Sequence, residues 1–334
     1  MKKDERAQVF IIILWVLAIL ALLAVGIGRN TSLALRLSGF QKKKLLTLYL
    51  ARAGLLRAIA EIAKDPTPAY DASSDSWADN EEVFKKIVIP EDENGFAVVS
   101  YVYEEGGEEK ERFGVRDEES KININTSGQG VLAALLERSG LASADALILA
   151  DNIRAWRSSL ELVPAQARDY QGIGYSCKGA AFANVQELLL VKGMDEEVFA
   201  ALQPLVTVFS SSAVNINTAA PELLEVLLFA ARQAAIDSGS PVTGNTQEAL
   251  SKILQYRQEH GFFTQENLNN LLTLLALNPA DFSALINEFS KLVVVQSVNF
   301  RIITTGRMNS GKVHSLIECV YNRQKAKPVF YHER

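Results

Sequence analysis

The chain has 334 residues, 48% apolar and 22% charged, with a net charge of −5 and an isoelectric point near 5.5. That length allows about two domains with real cores, and the ordinary globular composition argues against disorder. The acidic balance disfavours a protein built to neutralise phosphates, and a cysteine count limited to Cys177 and Cys319 excludes a disulfide scaffold or a cysteine-built zinc site. Two ordinary buried thiols are the simpler reading of that pair, with a single disulfide left open outside the cytoplasm.

After the short polar segment 1–6, the stretch 9–25 carries no polar side chain. Extended to Gly28 it gives about 20 residues and roughly 30 Å of helix, enough to cross a hydrocarbon core. A cleaved signal sequence would be shorter and followed by an unrelated mature start. Here the helical pattern continues instead. Leu33, Leu37, Phe40, Leu48, Ala51, Leu55, Ile59 and Ile62 recur at steps of three and four, with a gap at Lys44, until Asp65-Pro66 and Pro68 end the run. The predicted element is one long spine helix passing from lipid into solvent, amphipathic in its outer half. The flanking cations are Lys2, Lys3 and Arg6 before the span, and Arg29, Arg36 and Lys42 to Lys44 after it. A literal positive-inside count puts the C-terminal bulk in the cytoplasm.

Residues 71–82 are polar and read as a loop. Extended runs follow at 86–89 and 96–103, then Gly106-Gly107 and a further run at 110–116 that completes a hairpin. The far end repeats this character at 291–297, 299–305 and 313–321. Between the two β-rich blocks, 122–289 reads almost entirely helical, so the economical architecture is one antiparallel sheet split in sequence by an inserted α-domain. Inside the insert, Asn-Ile-Asn-Thr occurs twice, at 123–126 and 215–218. Its expected role is helix initiation, with Thr126 and Gln129 as a capping box and Pro221 in the first turn of the second helix.

Catalytic patterns are missing from the sequence. His260, His314 and His332 are scattered, and Gly172-Ile173-Gly174 follows no strand signal, so no phosphate loop is read there. The carboxylates come in runs, among them Asp117 to Glu119, and each run is expected to be a solvated face. No spacing matches a calcium-binding EF-hand, and no metal ligands are assigned. A second functional reading comes from 185–202, which looks like a helix–hairpin–helix, a unit that also follows Asn-Ile-Asn-Thr in DNA-uptake proteins. In this chain the hairpin reads Gly193-Met194-Asp195-Glu196-Glu197. Three carboxylates at a helix start suit the helix dipole and repel a phosphate, so no nucleic acid is expected as a partner.

Several of these segments together resemble one family. They are the apolar run ending Leu14-Trp15-Val16-Leu17, the Leu50-Ala51-Arg52-Ala53-Gly54 stretch, both Asn-Ile-Asn-Thr segments, Tyr170-Gln171-Gly172, and Glu187 followed by LLLVKGM at 188–194. Over nearly the whole chain, and in consistent order, they are similar to the K-type minor pseudopilins of the type II secretion system. The resemblance implies an α+β, pilin-like fold: a long N-terminal membrane helix with an antiparallel sheet and a large inserted all-α domain. The layout implied is a leader at 1–7, a transmembrane and spine helix at 8–65, a head formed by 66–121 and 290–334, and the insert at 122–289.

The resemblance also implies a non-enzymatic assembly subunit at the tip of a pseudopilus, anchored in the inner membrane with its bulk in the periplasm. Its partners would be the I-type and J-type minor pseudopilins, and its leader would be cut by a prepilin peptidase between Ala7 and Gln8. Such peptidases cut after Gly, and this chain has Ala7 there. Ile12 would be the fifth mature residue, where most pilins carry Glu and K-type subunits characteristically do not. Leu33, Leu37, Phe40, Leu48, Leu55 and Ile59 would pack against partner spines, with part of that stripe holding the head. Calcium is known in the broader family, yet Trp156-Arg157-Ser158-Ser159 lacks the acidic residues expected after that tryptophan.

Overall fold

The computed structural model describes residues 4–67, 69–89, 92–105, 108–159, 170, 174–311 and 313–334. Helix α1 (Asp4–Ala63) is unbroken because no proline interrupts it. It stops where Asp65 accepts both the backbone N–H and the hydroxyl of Thr67, at 2.9 and 3.0 Å, which turns the chain before it can continue as helix. A short helix α2 (Glu81–Phe84), capped by Asn80, leads into β1 (Ile87–Ile89), β2 (Asp92–Val99), β3 (Tyr101–Glu105), β4 (Glu108–Arg112) and β5 (Arg116–Asp117).

The middle of the chain then forms β6 (Ile122–Asn123), α3 (Gln129–Arg138), α4 (Ser143–Arg157), a 3₁₀ turn (Val185–Leu190), α5 (Glu196–Leu202) and β7 (Val206–Thr207). A second series follows: β8 (Val214–Asn215), α6 (Pro221–Asp237), α7 (Thr246–His260), α8 (Gln265–Asn269), α9 (Leu271–Leu274), α10 (Pro279–Ser290) and β9 (Val293–Val294). The strands β10 (Asn299–Met308), β11 (His314–Asn322) and β12 (Lys327–Glu333) close the chain.

The main sheet is antiparallel in the order β1-β2-β10-β11-β12, with β5 also on β10. Strand β10 unites the two β-rich ends of the sequence. It pairs with β11 from Asn299↔Asn322 to Arg307↔His314, with β2 from Thr304↔Val99 to Met308↔Gly95, and with β5 at Phe300↔Asp117. Its side chains alternate buried and half-buried, as a strand with one covered face requires. The upper half of α1 covers that face, and Ala51, Leu55, Ala58, Ile62, Trp77, Phe84, Phe300, Ile302 and Cys319 form the head's core.

Three sequence expectations change here. The run read as one strand over 96–103 is broken at Ser100. Its first part, β2, joins the main sheet, and β3 leaves to make a separate ribbon with β4, from Tyr101↔Arg112 to Glu105↔Glu108. Strand β12 leaves no pattern in the sequence because Lys327-Pro328 opens it and it lies exposed at the sheet edge, where neither burial nor alternation is imposed. The insert, expected to be almost all helix, also contains the short parallel pair Ile122↔Val206, and its β8 pairs at Val214↔Val293 with the segment 291–297 that the sequence placed in the head.

Those pairs expose a duplication. Each Asn-Ile-Asn-Thr segment opens one lobe, and the same side chains make the same bonds in both. Asn125 accepts the Phe182 N–H at 2.8 Å and donates to its carbonyl at 3.0 Å; Asn217 does the same to Phe263, at 2.7 and 3.0 Å. Arg157 donates to the carbonyls of Ile124 and Ser127, and Arg257 donates to those of Ile216 and Ala219. The motif is therefore a polar hub for each lobe, not a capping box. The residue at the N-cap of α3 is Gly128, with no side-chain bond, whereas Pro221 does occupy the first turn of α6. Both lobes share one apolar core, which includes Cys177; Cys177 and Cys319 are free thiols in separate cores.

Candidate assembly interface

Two regions carry the functional geometry: the spine helix, and the polar junction between head and insert. On the spine, small side chains face the sheet at alternating steps of four and three: Thr47, Ala51, Gly54 and Ala58. A Cβ on Gly306 would lie 1.9 Å from the Thr47 carbonyl oxygen and 2.7 Å from the Ala51 nitrogen, and one on Gly54 would lie 2.3 Å from Thr304 Oγ1. The backbone of β10 therefore rests directly on the helix. Thr304 donates to the Ala51 carbonyl at 3.2 Å and Thr47 bonds the Ser315 hydroxyl at 2.8 Å. Lys44, the gap in the apolar pattern, is the foot of this contact, donating to the carbonyls of His314 and Arg334 at 2.9 and 3.3 Å.

Lys44 divides the sequence-predicted stripe. Below it Leu33, Leu37 and Phe40 are exposed on the helix face that the head covers higher up, and Ile12 is exposed within the apolar span. Above it Leu55 is buried in the head core, and Leu48 and Ile59 pack half-buried against it. Those three hold the head, Leu55 wholly and Leu48 and Ile59 with part of their surface, since the sheet occupies that face. Ala7 and Gln8 lie in the first turns of α1, and their side chains fall outside the described residues. An open groove of about 370 Å³ at the foot of the head is lined by Phe40, Lys44, Leu45 and Leu48 from the spine and by Glu333 and Arg334 from the sheet.

The run Asp117-Glu118-Glu119, expected as a solvated face, is instead buried at the junction. Asp117 accepts from Asn215 Nδ2 at 3.1 Å, from Thr218 Oγ1 at 2.5 Å and from Ser297 Oγ at 2.6 Å. Glu119 accepts the backbone N–H groups of Ser211 at 3.1 Å and Asn299 at 2.9 Å, and the Asn299 side-chain amide at 2.9 Å. Glu118 is paired with Arg301, which also meets Glu318, and it accepts from Thr207. Three neighbouring carboxylates thus tie β5 to both insert lobes and to β10. Burial, helped by the neighbouring Glu119, pushes the Asp117 carboxyl well above the usual carboxylate range. Burial would raise Glu118 too, but the charge of Arg301 and its hydrogen bond outweigh it and hold Glu118 below its ordinary value.

Nearby, Arg323 donates to both carboxylate oxygens of Asp71, at 2.9 and 2.6 Å, and to Asp65 at 3.2 Å. Asp65, Asp71 and Asp75 bring one carboxylate oxygen each within 4.8 Å of the others, the one such grouping among the described residues. Calcium takes six to eight oxygen ligands in an open cage, but here the Arg323 guanidinium already occupies oxygens of two of the three carboxylates. The grouping fits an ion pair and not a calcium site. Arg157, which follows Trp156 and ends α4, is occupied with the lobe carbonyls noted above. In the helix–hairpin–helix segment Gly193 has a φ of +89°, and the Asp195 carboxylate accepts the Val198 N–H at 2.7 Å, so it fills the helix start where an anion would sit. The Gln171-Gly172 part of the sequence motif, and Ile173, lie outside the described residues.

A helix long and apolar enough to cross a membrane, with mean hydropathy 3.2 in its best window, packs its far half on an antiparallel sheet that is split by an α-rich insert. This defines a membrane-anchored protein with a pilin-like α+β fold. Residues 111–211, which hold β5 and the first lobe, match the family model described as Type II secretion system (T2SS), protein K. The fold is similar to that of a chain in the crystal structure of the GspK-GspI-GspJ complex from the enterotoxigenic Escherichia coli Type 2 Secretion System. The TM-score is 0.61 at 15% identity, covering 88% of this chain and 98% of that one. No curated protein sequence matches the chain. Over residues 111–211 the chain is thus similar to type II secretion system protein K, and over most of its length its fold is similar to that of a chain in the GspK-GspI-GspJ complex.

Proposed function

We propose that this chain acts as a minor pseudopilin at the tip of a type II secretion pseudopilus, where it helps initiate assembly together with the I-type and J-type subunits. The GspK-GspI-GspJ complex named for the similar structure supports that choice of partners. The observation that carries the tip position is the buried junction of Asp117, Glu118 and Glu119, which ties the insert to the head through Asn215, Thr218, Thr207 and Ser211. An insert spanning 122–289 has a radius of gyration of about 15 Å as a compact body. Held in one place on every subunit, that bulk would collide with subunits stacked above; at a tip nothing lies above it.

The rest of the reading rests on the family resemblance and the spine. By that resemblance, and against the literal count of flanking cations, the C-terminal bulk lies in the periplasm, and a prepilin peptidase cuts between Ala7 and Gln8. Ile12 then stands as the fifth mature residue, with no carboxylate to pair with the amine of a subunit ahead. Leu33, Leu37 and Phe40 offer apolar contacts below the head, and the role is one of assembly, with no reaction. Expressing the full chain with and without the I-type and J-type subunits in membranes tests this. A ternary complex of fixed stoichiometry, and an intact mass starting at Gln8, are the expected results. A stable homopolymer of this chain alone would refute the tip position.

A further inference from the structure

Five charged side chains meet where β5 and the turn after it pass between the main sheet and the insert. Arg116 on β5 stands opposite Arg301 on β10, so the two guanidinium groups share one face of the sheet, away from the core side where Asp117 stands opposite Phe300. Lys121 is brought in by the turn in which its N–H donates to the Glu118 carbonyl at 3.2 Å. Arg301 is paired with both Glu118 and Glu318 and lies over the Phe209 ring. The charges acting on Lys121 are those of Arg116, Glu118, Arg301 and Glu318, and Arg116 in turn feels Glu118 and Arg301. His332, opposite Glu318 at the sheet edge, is exposed.

The charges in this group do not balance. Three cations face two carboxylates, and Arg301 engages both of those. Arg116 and Lys121 are left without a hydrogen bond or an ion pair from their side chains among the described residues. Both are half-buried, each with part of its surface open to solvent. A cation taken out of water without a partner is costly, and like charges opposite one another on a sheet add repulsion. Asp117 does not supply the missing charge, because Asn215, Thr218 and Ser297 engage its carboxylate on the other face. Burial, with Arg116 beside it, pulls the Lys121 ammonium down to about 7, and burial also lowers Arg116. One carboxylate from outside would close the count, whereas a doubly charged oxyanion such as sulfate would reverse it.

We infer that Arg116 and Lys121 form a binding site for a single carboxylate supplied from outside the chain, on a protein side chain or as a free acid. The site stands independently of the assembly role proposed above. A carboxylate there favours the charged form of Lys121, so its binding takes up a proton and weakens as the pH rises through and above about 7. The test uses the full chain in detergent, labelled with carbon-13 at lysine Cε, with the Lys121 signal identified by its loss in Lys121→Met. Sodium acetate is expected to raise the titration midpoint of Lys121 by about one unit, and sodium chloride at equal ionic strength to leave it in place; acetate then binds about tenfold more weakly at a pH of about 9 than at about 6. The peptide acetyl-Gly-Glu-Gly-amide separates the sources: tighter binding than acetate assigns a protein side chain, and binding no tighter assigns a free acid. Arg116→Gln should weaken acetate binding about fivefold and raise the Lys121 midpoint in the free protein, since a neighbouring cation is gone. Lys121→Met should melt no lower than wild type, because it removes an unmatched cation. Equal responses to acetate and chloride would overturn the inference, as would undiminished acetate binding in Arg116→Gln. A lowered melting temperature in Lys121→Met would overturn it too, by showing that Lys121 is already matched within the chain.

Discussion

Asn217 holds Phe263 by both of its backbone groups, accepting the N–H at 2.7 Å and donating to the carbonyl at 3.0 Å, with all of these atoms buried. The side chain replaces the strand neighbour that Phe263 lacks, and Asn125 performs the same service for Phe182 in the other lobe. Asn217→Ala leaves two buried polar groups without partners and is expected to destabilise the insert by about 3 kcal/mol. Asn125→Ala, at a half-buried site, is expected to cost about 1–2 kcal/mol, because water can replace part of what is lost. Hydrogen exchange at the Phe263 and Phe182 amides reads each effect locally, and equal protection in variant and wild type would contradict it.

The contact between spine and sheet depends on the missing side chain of Gly306. A methyl group there meets the Thr47 carbonyl oxygen at 1.9 Å, and that oxygen belongs to helix backbone, which cannot rotate aside. Gly306→Ala is expected to destabilise the head by about 3 kcal/mol, at the upper end of overpacking effects. Protease cleavage in the upper spine should become faster while the insert keeps its stability. An unchanged cleavage rate would mean that the helix and sheet can separate at little cost.

Arg301 and Glu118 test the junction. Arg301→Met leaves the fully buried Glu118 carboxylate without its cation and is expected to destabilise by about 3–5 kcal/mol. Since the folded-state pKa of Glu118 lies below its ordinary value of 4.5, the contribution of the pair is complete above that value. It fades as the pH falls through the folded-state pKa, so the difference between Arg301→Met and wild type should narrow in acid. Denaturant midpoints across an acid pH series would show it, and a constant difference would contradict the assignment.

Asp75 has the opposite sign. Burial, with some repulsion from Asp65 and Asp71, raises its carboxyl from 3.8 to about 6. The folded chain then binds the proton more tightly than the unfolded chain, so stability falls as the pH rises between those two values and levels off above them. The full shift corresponds to about 3 kcal/mol, and solvent screening at a half-exposed site reduces this to about 1–2 kcal/mol. Asp75→Asn, which can still accept the Ala72 N–H, should match wild type at a pH of about 4 and exceed it in melting temperature at about 7.5. Parallel melting curves for the two proteins would contradict this.

Periodicity and composition carried the local and repetitive features. The spine from Val9 onward, its stop at Asp65-Pro66, and the β-rich blocks on either side of a helical middle are legible in the sequence, because apolar spacing and proline act within a few residues. The family resemblance, spread over many short segments, pointed to the same pilin-like class. The Asn-Ile-Asn-Thr repeat was visible too, but its meaning was not. Asn125 and Asn217 bind backbone distant in sequence, at Phe182 and Phe263, and no local rule names such a partner.

Tertiary structure decided what distance in sequence conceals. Asp117 to Glu119 read as a solvated run because charged residues are usually exposed, yet Arg301, Asn299, Ser297 and Asn215, all remote in the chain, supply the donors that make their burial tolerable. Leu55 and Leu37 carry the same signal on one helix face, and only the position of β10 separates a core residue from an exposed one. Leu45, Tyr49 and Leu56 stay exposed for the complementary reason. Two apolar stripes share a single helix, and which of them is left open depends on where the sheet lands. Small residues at Thr47, Ala51, Gly54 and Gly306 let it land on the inner face, since only there can backbone approach backbone.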